Sequence, residues 1–81
     1  MFSEQGWEDY LYWQRMDRKI LQRINTLLPQ IQRMPFEGVG KPERLNHGMS
    51  GCWSRRITDE HRLIYKMEAD SLLIAQFRYH Y

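Results

Sequence analysis

The sequence predicts an α+β fold: two amino-terminal helices packed on one face of an antiparallel β-sheet, in one domain spanning residues 1–81. Three observations carry this. Apolar residues recur at helical spacing as far as Ile31, a stretch dense in proline and glycine follows, and beyond Gly51 the apolar period changes to two.

Ser3, followed by an acidic residue, can cap a helix running from about Glu4 to Met16. Trp7, Tyr10, Leu11 and Trp13 give this helix an aromatic face, although Gly6 weakens its first turn. Asp17 reads as a second N-cap, because its carboxylate can accept from the amides of the next turn. Ile20, Ile24, Leu27, Leu28 and Ile31 follow at helical spacing. With almost no loop between them, the two helices should form an antiparallel or steeply crossed hairpin. Pro29 removes an amide donor and collides with the carbonyl four residues back. It predicts a kink or an end near Leu28, with a further turn through Arg33 if the helix resumes.

Residues 35–51 (PFEGVGKPERLNHGMSG) read as a loop on their prolines and glycines. Seventeen irregular residues are long for an inert connector in so small a domain, and long loops often carry function. Cys52–Ile57 and His61–Met67 then form a hairpin around Thr58, Asp59 and Glu60. Glu68, Ala69 and Asp70 make the next turn, and Ser71–Tyr81 is the last strand. Its apolar run LLIA suits a central position in the sheet.

Eighty-one residues bury only about 60 % of the surface that the unfolded chain exposes, so the core is thin. Aromatic residues at 14 % partly compensate, and packing is their default role. The lone Cys52 excludes an internal disulfide and a cysteine-based metal cluster, and it reads as a small buried apolar group. A bridge-free domain without an apolar run of membrane-spanning length or a signal-peptide pattern is expected to be soluble and cytoplasmic. Net charge is only +2, but nine of the twelve cations are arginine, whose planar fork suits phosphate. Arg15, Arg18, Lys19, Arg23 and Arg33 stand against Asp17 alone in residues 14–34. This is weak support for RNA or an acidic partner, because a basic helix face is more often simply solvated.

Period-two alternation sets Phe77, Tyr79 and Tyr81 on one side of the last strand, and Gln76, Arg78 and His80 on the other. In the hairpin, Arg62 and Ile64 oppose Leu63, Tyr65 and Met67. If the second set packs on the helices, Arg62 and His80 share the exposed sheet floor, with Glu43 available from the long loop. A carboxylate, an imidazole and a guanidinium suit RNA cleavage without metal. They supply a base for the 2′-hydroxyl, an acid for the 5′-oxygen and a cation for the phosphorane between them. His47, His61 and His80 lack metal-ligand spacing, and no cofactor is expected. Taken singly, Glu43 is a solvated loop carboxylate, His80 a surface histidine, and Arg55, Arg56 and Arg62 partners for Asp59 or Glu60.

The order of motifs adds to this reading. GKPERL at 40–45, SGCWSRRITDEHRLIY at 50–65 and RYHY at 78–81 resemble the YoeB branch of the RelE-like toxins. The similarity extends over WEDYLYW at 7–13, DRKILQRIN at 17–25 and PFEGVGKPE at 35–43, nearly the whole chain. It implies a RelE-like fold and a messenger-RNA endoribonuclease acting in the ribosomal A site. It also implies restraint by a YefM-like antitoxin; a homodimer is a separate expectation. Residue by residue, it implies Glu43 as general base, His80 as general acid and Arg62 as phosphorane stabiliser. Arg56 would contact phosphate and Tyr81 would position substrate. Lys41 and Arg55 complete the expected RNA contacts.

Two departures qualify the resemblance. Asn46 stands where the family typically has lysine, which favours an alternative: a weakly active relative that binds ribosome or antitoxin and serves transcriptional autoregulation. Only Met1 and Phe2 precede Ser3, where relatives carry an apolar strand. The sheet is therefore expected to lack part of one strand.

Overall fold

The computed structural model describes residues 2–38, 40–45, 51–69 and 71–78. Helix α1 runs Glu4–Met16 and α2 runs Arg18–Arg33, with only Asp17 between them. Ser3 caps α1 by accepting from the Gly6 amide at 3.0 Å. Asp17 serves both helices. Its own N–H donates to Trp13 O at 3.1 Å, and its Oδ1 accepts from the amides of Lys19 and Ile20 at 3.0 and 3.3 Å. One short side chain therefore ends one helix and starts the next.

Helix α2 does not end at Leu28; it continues through Pro29 to Arg33. Pro29 lies on the exposed side, as does Asn25, the residue whose carbonyl the ring deprives of a donor. That carbonyl can turn to water, while Ile24, Leu27 and Ile31 bury the opposite stripe across the break. Packing of that stripe outweighs the lost hydrogen bond.

The sheet is antiparallel, in the order β1-β2-β3-β4, with β1 Glu43–Arg44, β2 Trp53–Arg56, β3 Arg62–Glu68 and β4 Ser71–Gln76. The helices cover one face. Trp13, Ile24, Leu27 and Ile31 meet Ile57, Leu63, Tyr65, Leu72, Ile74 and Phe77 in one core. Burying each large apolar side chain contributes about 1.5–3 kcal/mol, so this set outweighs every polar contact at the surface. Cys52 is half-buried rather than part of that core. Among the described residues no helix is long and apolar enough to cross a membrane.

Three expectations about the strands change. The long segment is not wholly loop, because Glu43 and Arg44 pair with Ser54 and Trp53. Two residues are too few to show a period. The LLIA run lies in β4, at the edge of the sheet rather than its centre. Its apolar character suits an edge that is covered. Phe2 bridges Ile74 in parallel, and the Ser3 N–H donates to Ile74 O at 2.8 Å. Ser3 Oγ donates to Ala75 O at 2.8 Å. A Cβ on Gly6 would stand 2.7 Å from Ile74 O, so α1 rests directly on the strand backbone there.

Third, the described strand stops at Gln76 rather than running on through residue 78, and residues 79–81 lie outside the described set. A bulge explains the faces near this end. The register steps from Tyr65↔Ile74 to Ile64↔Gln76, skipping Ala75. Leu72 and Ile74 face the helices, Gln76 turns to the opposite face, and Phe77 returns to the core.

Candidate active site

The face away from the helices holds the residues with chemistry. Antiparallel partners point to the same side, so Glu43, Ser54, Ile64 and Gln76 form one row across all four strands. Arg56 and Arg62, paired with each other, form the adjacent row. Ser54 and Ile64 are fully buried, Arg62 is half-buried, and Glu43 and Arg56 are exposed. Arg62 Nη1 donates to Ser54 Oγ at 3.3 Å. Ser54 is thus the common neighbour: Glu43 is its partner across the strand pair, and Arg62 is its hydrogen-bond donor. Sequence reasoning passed over Ser54, and only the strand register reveals it.

The approach to Glu43 is fixed by backbone. Gly40 and Lys41 take positive φ of 90° and 50°, and the Arg56 N–H donates to Gly40 O at 2.8 Å. Lys41 is exposed at this turn, one residue after the Gly40 carbonyl that Arg56 holds. The Arg56 guanidinium lies 3.8 Å from Asp59, whose side chain is fully exposed, a contact worth little energy and readily exchanged for another anion. Asn46, His80 and Tyr81 lie outside the described residues. The chain leads towards His80 from Gln76, whose Nε2 donates to Arg78 O at 3.0 Å.

Arg55 belongs to the opposite face, not to the expected RNA contacts. It is fully buried on the helix side, between Trp53 and Ile57 in the period-two pattern. That flanking pair was the signal available in the sequence. Its Nη2 donates to Met34 O and to Glu37 O, the latter at 2.8 Å. Its Nε donates to the Tyr65 hydroxyl at 3.2 Å, and Tyr65 in turn donates to Pro35 O. A guanidinium spread over carbonyls and a phenol ties residues 34–37 to the sheet, and so holds the segment that leads to Glu43.

This network has a pH signature. Burial pushes the Tyr65 phenol above its ordinary value, and the hydrogen bond and charge of Arg55 pull partly the other way. A raised native value means that the unfolded chain releases its proton first. The contribution to stability is therefore whole below the ordinary tyrosine value of about 10, and is lost as pH climbs through the raised one. Chemical denaturation should show unfolding free energy falling above about pH 10, less steeply in Tyr65→Phe. Equal alkaline slopes in the two proteins would contradict the assignment.

Comparison with known proteins agrees with this architecture. A family model for the YoeB-like toxin of bacterial type II toxin-antitoxin systems matches residues 2–81. Toxin YoeB of Escherichia coli K12 is 59% identical over 81 residues, which are 100% of this chain and 96% of that one. The YoeB/ParE toxin structure from Agrobacterium tumefaciens matches with a TM-score of 0.95 and 44% identity, over 100% of this chain and 96% of that one. The YoeB-YefM complex from Staphylococcus aureus matches with a TM-score of 0.91 and 45% identity, over 100% and 94% of the two chains. A YoeB dimer from the same organism also scores 0.91, at 46% identity over the same shares. The fold is that of the YoeB and YafQ toxins, and the chain belongs to the YoeB-like toxin family of bacterial type II toxin-antitoxin systems.

Proposed function

We propose that this toxin is a ribosome-dependent endoribonuclease that cuts messenger RNA in the A site without a metal ion. Glu43 takes the proton of a 2′-hydroxyl, whose oxygen attacks the adjacent phosphorus. The bond from phosphorus to the 5′-oxygen breaks, and His80 gives that oxygen its proton. Arg62, with Arg56 beside it, balances the charge gathered on the phosphorane. Lys41 and Tyr81 hold the RNA, and Arg55 serves the fold instead. The products are a 2′,3′-cyclic phosphate and a free 5′-hydroxyl. The observation that carries this reading is the placement of Glu43 and Arg62 on either side of Ser54, on the sheet face that the helices leave uncovered.

The site of action is then the cytoplasm, where ribosomes translate. The partner is an antitoxin like the YefM bound to the related Staphylococcus aureus toxin. Exposed Arg18 and Lys19 and half-exposed Arg23 on α2 suit an acidic, largely unfolded segment that folds as it binds. Self-association like that of the Staphylococcus aureus YoeB dimer is proposed for the free toxin. Asn46 favours a second reading, in which the protein binds ribosome or antitoxin and cleaves little.

Primer extension on a translated message decides between the two readings. Added toxin should produce stops within the A-site codon, and His80→Ala should abolish them. A message left intact by the wild-type protein at ribosome-saturating concentration would favour the binding module.

A further inference from the structure

We infer that Asp9, Tyr12 and Trp13 of α1 are positioning residues that set the place of His80, an inference resting on the general-acid reading above. Phe77, where the last strand ends, has both its backbone groups captured by side chains. Its N–H donates to Asp9 Oδ2 at 2.9 Å, and its carbonyl accepts from Trp13 Nε1 at 3.1 Å. Both bonds are buried, and Asp9 is only 2% exposed. The other carboxylate oxygen accepts from Gln5 Nε2 at 2.8 Å. The Phe77 ring is fully buried, edge-on to Phe2 at 5.3 Å.

The next residue is held as well. The Arg78 guanidinium lies 3.6 Å from the centre of the Tyr12 ring, and Gln76 Nε2 donates to the Arg78 carbonyl. Two consecutive residues are therefore gripped by a carboxylate, an indole, a phenol ring and an amide.

Such a grip exceeds what ending a strand requires. Water can satisfy an exposed strand end, whereas a carboxylate taken out of water is costly unless well hydrogen-bonded. Charge-assisted bonds to backbone amides are also the short, directional ones. The nearness of His80 accounts for the grip: it is three residues beyond Phe77, at most about 10 Å of chain. General acid catalysis works only within hydrogen-bond reach of the leaving oxygen, and a misplacement of about 1 Å can cost roughly 10²-fold. Asp9, Trp13 and Tyr12 fix the two described residues from which the chain continues to His80. In this way α1, which contributes no side chain to the Glu43 face, sets the efficiency of the proton transfer.

The test compares a normal scissile linkage with one carrying sulfur in place of the 5′-oxygen. A thiolate leaves without protonation, so a misplaced acid matters for the oxygen linkage alone. Single-turnover cleavage of ligated, translated messages is measured for wild type, Asp9→Ala, Asp9→Asn, Tyr12→Leu, Trp13→Phe and His80→Ala, with ribosome affinity and melting temperature alongside. Asp9→Ala and Tyr12→Leu should lose roughly 10–10²-fold on oxygen and almost nothing on sulfur, at unchanged ribosome affinity. Trp13→Phe, which keeps a ring against His61, should show the same pattern more weakly. Asp9→Asn keeps an acceptor for the Phe77 amide and should recover most of the rate. Should Asp9→Ala fail to fold, half-exposed Tyr12 carries the test. Equal losses on oxygen and sulfur, or no loss on oxygen, would overturn the inference while leaving the general-acid reading in place. A full rate for His80→Ala on oxygen would instead overturn that reading, and this inference with it.

Discussion

Alanine at Glu43, Arg62 or His80 is expected to cut the single-turnover cleavage rate by roughly 10²–10³-fold or more, with little change in melting temperature. Glu43 is exposed on a two-residue edge strand, so its side chain supports no core contact. Arg62 reaches over the sheet floor to Ser54, whose hydroxyl can rotate to another acceptor when the guanidinium is gone. Each loss should therefore appear in the chemical step. Arg62→Lys should recover little, because a lysine keeps the charge but not the fork that matches two phosphate oxygens. The three effects should also fall short of additive, since the residues act on one transition state. Near-wild-type cleavage by Glu43→Ala would remove the base assignment, and by Arg62→Ala the role of the cation.

The largest effect on stability is expected at Arg55, whose guanidinium is buried on the helix side of β2. Arg55→Ala should lower unfolding free energy by about 3–5 kcal/mol, combining a cavity with acceptors left unpaired at Met34, Glu37 and Tyr65. For a domain of this size that is roughly 12 °C or more in melting temperature. Residues 34–37 would lose their tie to β2, so the turn before Glu43 should become sensitive to protease before the core does. Arg56→Ala, one position along and exposed, should change stability by no more than about 0.5 kcal/mol while weakening cleavage. Thermal melts of the two variants check this. An Arg55→Ala protein that melts like wild type, with a shallower salt dependence of RNA binding, would restore Arg55 to the RNA surface.

Much of the helical half was legible because its signals are local. Ser3 and Asp17 are short acceptors at the right offsets, and α1 runs from Glu4 to Met16 as expected. The β2–β3 hairpin was legible from alternation. The features that escaped depend on distant partners. Pro29 reads as a kink or an end near Leu28, and the burial of Ile24, Leu27 and Ile31 on both sides of it carries the helix through to Arg33. Edge strand β1 exists only because Ser54 and Trp53 pair with it. The end of β4 is set by Asp9, 68 residues away, which no local pattern encodes.

In the candidate site, period-two faces put Arg62 opposite Leu63 and Tyr65, as the sheet has it. The same rule, applied to Trp53, Arg55 and Ile57, sends Arg55 inward. Composition groups it with Arg56 instead, because neighbouring arginines look alike there. The chemical roles of Glu43, Arg56 and His80 rest on motif resemblance, since charge and spacing alone admit plain surface contacts.

In the proposed reaction the attacking nucleophile is the RNA's own 2′-hydroxyl, activated by Glu43. A message carrying one 2′-deoxy nucleotide at the mapped cleavage position tests it most directly. Translated on ribosomes with the toxin, it should survive uncut at that position, while the all-ribose message is cut to a 2′,3′-cyclic phosphate end. Cleavage of the deoxy message at the same position and rate would mean that water attacks, and that Glu43 has no 2′-hydroxyl to activate.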